Sequence, residues 1–187
     1  MTGVQTCALP IFPLQQKMAA TKPLLADVID SVNQKMKTAK RPPLFYNIET
    51  KSNPEFDAVF QPKPSEFIEL LMTVIKEKGI EDYVIIQSFD IRTLQYLHTT
   101  YPMIKTALLI EDFDKRSFTE QIKNLGFTPT IYSPAYQLVN ADLVKACHKQ
   151  QVKIIPWTVN DLPTIMKLKV LGVDGLISDF PNLFNEV

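Results

Sequence analysis

Short apolar runs and segments with helical periodicity alternate regularly along the chain from residue 44 onward. Each run is continuously apolar, which is typical of strands in a parallel sheet covered on both faces. The predicted strands are 44–50, 83–89, 105–111, 129–136, 152–159 and 174–179, and the helices between them are 65–78, 91–101, 117–125, 141–149 and 162–171. This alternation predicts an α/β fold of about six strand–helix units.

Residues at the ends of the predicted helices support these boundaries. Gly79, Gly126 and Gly172 each follow a helical stretch, where a residue with left-handed backbone is commonly glycine. Asn140 and Asp161 precede helices and are candidate N-caps, because their side chains can accept bonds from the first free backbone N–H groups.

Two further segments lie outside the regular series. Residues 22–37 carry apolar side chains at helical spacing and are predicted to form an amphipathic helix. Residues 52–64 contain three prolines and are predicted to form a long loop that leaves the carboxyl end of the first strand.

The even spacing of the strands fits two architectures. One is an open, doubly wound sheet, and the other is part of an eight-stranded (β/α)8 barrel. A complete barrel typically has about 250 residues, whereas this chain has 187. A chain of this length would lack about two strand–helix units of a barrel, leaving 44–50 and 174–179 as open edges.

The first eleven residues, MTGVQTCALPI, resemble an in-frame translation of a sequencing-library adapter. A processing scar carries no information about the fold, so we expect residues 1–11 to be an artefact and 12–187 to be one partial barrel domain. The native N-terminus is then unobserved. Cytoplasmic, periplasmic and secreted locations all remain open.

The composition argues against some classes of binding partner. Lys plus Arg and Asp plus Glu both number 20, so the formal charge gives no reason to expect nucleic acid or an anionic membrane surface. No apolar stretch is long enough for a transmembrane helix, and Cys7 and Cys147 are too few for a disulfide framework. Neither composition nor spacing indicates an oligomeric state.

Polar and aromatic residues cluster at the carboxyl ends of the predicted strands, where parallel α/β folds place their sites. Glu49 and Lys51 share one side of the first strand because side chains alternate. A carboxylate beside a fixed cation suits a metal-bound phosphate. The alternative for this pair is a surface ion pair, which contributes little.

Five segments in order carry a family resemblance: YNIETK, VIIQSFD, IYSPAY, IIPWTVN and GVDGLISDFP. They resemble successive strand motifs of the glycerophosphodiester phosphodiesterase family, and the resemblance runs from about Lys22 to the C-terminus. It implies a (β/α)8 barrel of the TIM type, truncated here by its first two strands. It also implies metal-dependent hydrolysis of glycerophosphodiesters to glycerol 3-phosphate and an alcohol.

The resemblance assigns roles residue by residue. In the family a divalent cation, Ca²⁺ or Mg²⁺, is held by three carboxylates, and Glu49 occupies the place of one of them. Lys51 takes the place of a phosphate-binding lysine, and Trp157 that of a pocket-lining tryptophan. Weaker substrate-binding candidates, by position alone, are Gln87, Ser133 and Tyr136.

The sequence also lacks several motifs of the family, and their absence affects the predicted activity. The family opens with a His-Arg-Gly motif, two further metal carboxylates and a second histidine, and none of these is present. The two histidines of the chain, His98 and His148, fall late in predicted helices and are not expected to be catalytic. We therefore expect no general acid–base residue here and an inactive polypeptide.

Two alternatives remain for the function. The first is a non-catalytic α/β barrel that binds a ligand without turnover. The second is a barrel like that of the phosphatidylinositol phospholipases, against which the ETK, PWTVN and SDFP motifs argue.

Overall fold

The structure is a computed structural model that describes residues 21–186. The chain divides into two compact units, residues 1–44 and 45–187. The predicted adapter segment, residues 1–11, lies outside the described residues. None of the helices within 21–186 has the length and apolar character that crossing a bilayer requires.

The described part of the first unit contains one amphipathic helix, α1 (Leu25–Thr38). It begins three residues later than predicted, because Leu24 still has extended backbone and is the N-cap residue. Ile29 is fully buried, whereas Val28 is 37% exposed.

The second unit is built on one parallel sheet. Its strands are β1 (Tyr46–Glu49), β2 (Val84–Ser88), β3 (Lys105–Ile110), β4 (Ile131–Pro134) and β5 (Lys153–Ile154). They lie side by side in chain order, β1-β2-β3-β4-β5, and every pair is parallel. A doubly wound sheet reverses its strand order at a switch point. The sequential order is that of a (β/α)8 barrel, so the predicted fold class is confirmed.

Five helices connect or follow these strands: α2 (Pro64–Lys78), α3 (Ile91–Thr100), α4 (Phe118–Leu125), α5 (Ala141–Lys149) and α6 (Leu162–Leu171). Both predicted N-caps form, since the Asn140 side chain accepts from the Leu143 N–H and Asp161 accepts from the Thr164 N–H. The predicted glycine after α4, Gly126, ends the helix with a φ of 84°.

The predicted sixth strand is wrong as regular secondary structure. Residues 174–179 follow the edge of β5 and are joined to residues 154–159 by three backbone hydrogen bonds. Asp174 N–H donates to Ile154 O, Ile177 N–H to Pro156 O, and Val159 N–H to Ile177 O. Pro156 has no N–H to donate, so the ladder cannot continue through it.

The sheet is strongly curved. The rings of Phe89, just after β2, and Trp157, beyond β5, lie 5.5 Å apart between centroids. Three strand spacings of about 4.8 Å would separate these positions by roughly 14 Å in a flat sheet. The sheet must therefore bend, with Phe89 and Trp157 on its concave side at the carboxyl ends of the strands.

Candidate functional site

The first group of predicted site residues lies at the carboxyl ends of β1 and β2. Glu49 is the last residue of β1 and pairs in register with Gln87 of β2. The Asn47 Nδ2 donates to Gln87 Oε1 at 2.7 Å, which places these side chains on one side of the sheet. Phe89, two residues beyond Gln87, marks that side as the concave one, because side chains alternate along a strand.

Glu49 and Lys51 form a loose pair at this edge. Their Oε1 and Nζ atoms are 4.0 Å apart, and the Lys51 side chain is 86% exposed. The Glu49 side chain is 28% exposed, but its Oε1 atom is buried and has no hydrogen-bond partner within residues 21–186. A pair with so long a distance and so exposed a lysine contributes little to stability, so the Lys51 ammonium group remains available to a ligand.

The loop after β1 lies beside this pair and is tied to the start of α3. Arg92 donates from one terminal nitrogen to Asp57 Oδ2 and from the other to Asp90 Oδ2, each at 2.6 Å. Within the loop, Gln61 and Asn53 exchange two hydrogen bonds of 3.0 Å. The loop, which ends at Lys63 because Pro64 begins α2, is therefore held at the carboxyl ends of β1 and β2.

The second group of predicted residues lies at the ends of β4 and β5. The Trp157 indole N–H donates to Ser133 O at 2.9 Å, and Trp157 O accepts from the Tyr136 N–H at 2.9 Å. Ser133 is 1% exposed and its hydroxyl donates to Ile155 O. This hydroxyl is already engaged, which weakens Ser133 as a ligand-binding residue.

Phe89 joins the two groups, and it is not among the residues predicted for the site. Its ring packs edge-to-face with that of Trp157, and it follows Gln87 by two residues. The signal that could have identified it is an aromatic residue on the same strand face as a candidate polar residue. Phe89 thus places the aromatic side chain of the second group next to the strand that carries Gln87.

A cavity of about 480 Å³ opens beside this region, at the carboxyl end of β3. Phe89, Glu111 and Phe113 form part of its wall. Glu49, Lys51 and Trp157 do not line it. The predicted residues thus lie next to this cavity rather than inside it, and Phe89 belongs to both.

The donor set for a metal is incomplete. The buried Oε1 of Glu49 is suited to accept a cation. Within residues 21–186, however, no three His, Cys, Asp or Glu side chains come together as a metal site would require. Ca²⁺ and Mg²⁺ take about six or more oxygen ligands, so these residues alone do not fit a divalent cation.

Both histidines lie at the opposite end of the sheet. His98 stacks on Phe127 with 3.9 Å between ring centroids, and Phe127 precedes β4. His148 Nε2 is 2.9 Å from Asp174 Oδ2, an oxygen that also accepts from the Ile154 N–H of β5. The helix ends that carry them meet the amino ends of the strands, away from Glu49.

Cys147 is a packing residue rather than part of this site. It lies on α5 and is fully buried. Burial, aided by the negative charge of Asp174, raises the pKa of the Cys147 thiol to about 12. A thiol that stays protonated at neutral pH is a poor nucleophile.

Comparison with known proteins gives a consistent result. The sequence model of the glycerophosphoryl diester phosphodiesterase family matches residues 12–183. A glycerophosphodiester phosphodiesterase of Bacillus altitudinis is 32% identical over 166 residues, which are 88% of this chain and 61% of that protein. One from Caldanaerobacter subterraneus subsp. tengcongensis is 31% identical over 113 residues, 60% of this chain and 45% of that protein.

Solved structures show the same fold. An Oleispira antarctica phosphodiesterase, in complex with the product sn-glycerol-3-phosphate, superposes with a TM-score of 0.70 at 19% identity, over 88% of this chain and 60% of that one. A glycerophosphodiester phosphodiesterase from Parabacteroides distasonis gives 0.62 at 19% identity, over 82% and 60%. The chain thus spans about half to three-fifths of the length of these relatives.

Proposed function

This chain belongs to the glycerophosphoryl diester phosphodiesterase family, and we propose that it is part of an enzyme that hydrolyses glycerophosphodiesters to glycerol 3-phosphate and an alcohol. The observation that carries the proposal is the Glu49–Lys51 pair at the carboxyl end of β1. It combines a buried carboxylate oxygen, which has no hydrogen-bond partner among the described residues, with an exposed ammonium group 4.0 Å away.

In this proposal Lys51 binds the phosphate of the substrate. Its ammonium group is 4.0 Å from the nearest Glu49 oxygen, too far for a strong bond, so a phosphate oxygen can approach it at little cost. The product held by the Oleispira antarctica phosphodiesterase, sn-glycerol-3-phosphate, supports a glycerol phosphate as the ligand. In the same proposal, Trp157 and Phe89 form an apolar wall of the ligand site. Gln87 and Tyr136 are weaker candidates for contact with the ligand.

Glu49 is proposed as the one ligand that residues 21–186 contribute to a divalent cation, Ca²⁺ or Mg²⁺. When bound, such a cation stabilises negative charge on a phosphoryl group. The buried Oε1 of Glu49, which has no hydrogen-bond partner among residues 21–186, supports this role. The remaining ligands of a complete site are not found among residues 21–186.

A second function is favoured by the position of the two histidines. Phosphodiester hydrolysis needs a group that protonates the leaving oxygen, and neither His98 nor His148 lies near Glu49. A domain that binds glycerol phosphates without turnover would need Lys51 and the aromatic wall alone.

The test is binding of glycerol 3-phosphate, followed by the fluorescence of the single tryptophan, Trp157. Replacing Lys51 by Ala is expected to weaken binding by roughly 10- to 100-fold, because a charge-assisted bond to phosphate is lost. Lys63→Ala, at another lysine of the same loop, is the matched control and should bind like the parent chain. Equal affinities of the two variants would contradict the proposed role of Lys51.

A further inference from the structure

The residue before Lys51 is held tightly by buried hydrogen bonds. Thr50 is 1% exposed, and its N–H donates to Gln87 O at 2.9 Å. Its hydroxyl lies 2.9 Å from the Thr93 hydroxyl, and its carbonyl accepts from the Ser88 hydroxyl at 2.8 Å. Three bonds therefore attach Thr50 to the junction of β2 and α3.

The residue after Lys51 is attached to the same junction. The Ser52 hydroxyl donates to Asp90 Oδ2 at 2.9 Å. Asp90 is also the N-cap of α3, where its Oδ1 accepts from the Arg92 N–H at 3.0 Å. The Arg92 Nε donates to Asp90 Oδ1 at 2.9 Å. The Asp90 carboxylate thus connects Ser52 to the guanidinium of Arg92.

Arg92 extends the connection to the far side of the loop through its bond to Asp57. That hydrogen bond holds the pKa of Asp57 below its usual value. Burial acts to raise the pKa of Asp90, but hydrogen bonds from Arg92 and Ser52 outweigh it and keep that pKa low. Both carboxylates are therefore charged at neutral pH, and all three nitrogens of the guanidinium between them donate to one or the other.

Helix capping alone does not account for this arrangement. An N-cap needs one carboxylate oxygen and a backbone N–H of the first turn. Here the second oxygen of Asp90 binds Ser52, 38 residues earlier in the chain, and Arg92 reaches Asp57, 35 residues earlier. Lys51, between the anchored residues, has a side chain that is 86% exposed and lies 4.0 Å from Glu49.

We propose that Ser52, Asp90 and Arg92 are positioning residues that direct Lys51 toward the phosphate of the ligand. Because the exposed Lys51 side chain is only loosely held by Glu49, its direction is set by the backbone on either side. Preorganising that backbone reduces the ordering needed when the ligand binds. The positioning role rests on the proposed function of Lys51 in binding glycerol phosphates.

The experiment measures glycerol 3-phosphate affinity by Trp157 fluorescence, and the thermal midpoint, for Ser52→Ala and Ser52→Thr. Ser52→Ala removes the bond to Asp90 and is expected to weaken binding roughly 3- to 10-fold, with the midpoint changed by no more than about 2 °C. Ser52→Thr keeps the hydroxyl and should restore the parent affinity. Ser65→Ala, at a serine of α2, is the matched control and should change neither quantity.

Arg92→Lys is the second variant, since it keeps the charge but loses the forked geometry that engages two carboxylates. It is expected to weaken binding to a similar extent as Ser52→Ala. Parent-like affinity of both Ser52→Ala and Arg92→Lys, together with weak binding by Lys51→Ala, would overturn the positioning role alone. Parent-like affinity of Lys51→Ala, or no saturable binding by the parent chain, would overturn the proposed function and the positioning role with it.

Discussion

Trp157 is the only tryptophan of the chain, and two contacts fix its indole. The ring N–H donates to Ser133 O, and the ring packs edge-to-face with Phe89 at an interplanar angle of 86°. The PWTVN motif identifies Trp157, whereas Phe89 is evident only from the curved sheet. The sequence pattern does not predict that an aromatic ring three strands away contacts Trp157, because this contact depends on the curvature of the sheet.

Phe89→Ala is expected to destabilise the chain by about 0.5–1.5 kcal/mol beyond the loss of buried area, because an edge-to-face aromatic pair is removed. The emission of Trp157 should also shift, since one neighbour of its ring is replaced by solvent. Urea unfolding followed by this fluorescence measures both effects. Phe113→Ala, at a phenylalanine that is 73% exposed, is the control and should stay within about 0.5 kcal/mol of the parent. Equal values for the two variants would show that the Phe89–Trp157 contact contributes nothing.

At the scale of the elements, the loops that follow the strands are held by side-chain hydrogen bonds. After β3, the Asp114 carboxylate accepts from the Arg116 N–H at 3.1 Å and from its guanidinium at 2.6 Å. After β5, the Asn160 amide donates to Asp179 Oδ2 at 2.8 Å and accepts from the Asp179 N–H at 2.9 Å. Side chains thus hold residues 178–179 where a regular strand ladder is absent.

The Asp114–Arg116 connection predicts a dependence of stability on pH. The side-chain hydrogen bond from Arg116 lowers the pKa of Asp114 from 3.8 to about 2. A carboxyl group whose pKa is depressed on folding stabilises the native state above its unfolded pKa, and this contribution is lost as pH falls through the folded pKa. The stability advantage of the parent over Asp114→Asn should therefore be full at neutral pH and shrink as pH falls from about 4 toward 2.

Urea midpoints of the parent, Asp114→Asn and Arg116→Gln across this range provide the measurement. Arg116→Gln should remove most of the same pH-dependent part, because it deletes the side-chain hydrogen bond that lowers the Asp114 pKa most. A difference between parent and Asp114→Asn that stays constant down to the acid limit would contradict this assignment.

At the scale of the whole molecule, residues 21–186 bring together only part of the set of groups that phosphodiester hydrolysis needs. Glu49, Lys51 and Trp157 lie at the carboxyl ends of the strands, whereas both histidines lie at the amino ends. General acid–base groups contribute about 10² to 10⁴-fold each to rate. The chain is therefore expected to bind glycerol phosphates while hydrolysing glycerophosphodiesters very slowly.

The measurement is release of choline from glycerophosphocholine in the presence of Ca²⁺ or Mg²⁺. This chain should turn over at less than about one hundredth of the rate of the Bacillus altitudinis relative, assayed as a positive control. Comparable metal-dependent rates would mean that acid–base groups lie among residues that we have not assigned to the site.

Much of the fold follows from short-range pattern. Continuous apolar runs predict β1 to β5, and residues such as Asn140 and Asp161 mark helix starts because capping involves atoms only three residues apart. The same pattern does not reveal that residues 174–179 lack a regular ladder. Whether a segment forms a regular strand depends on the segment that lies beside it, and here that segment contains Pro156, which has no N–H to donate.

The spacing of apolar runs predicted an α/β fold by itself, and the resemblance of five motifs indicated the family, the barrel and a role for the Glu49–Lys51 pair. The surroundings of that pair followed only from the folded chain, which brought Phe89 to Trp157 and tied Ser52 to Asp90. Folding also left Glu49 Oε1 buried without a hydrogen-bond partner among residues 21–186. The two contacts join residues 38 or more positions apart, and such residues meet only because the sheet curves and the loop after β1 closes onto α3.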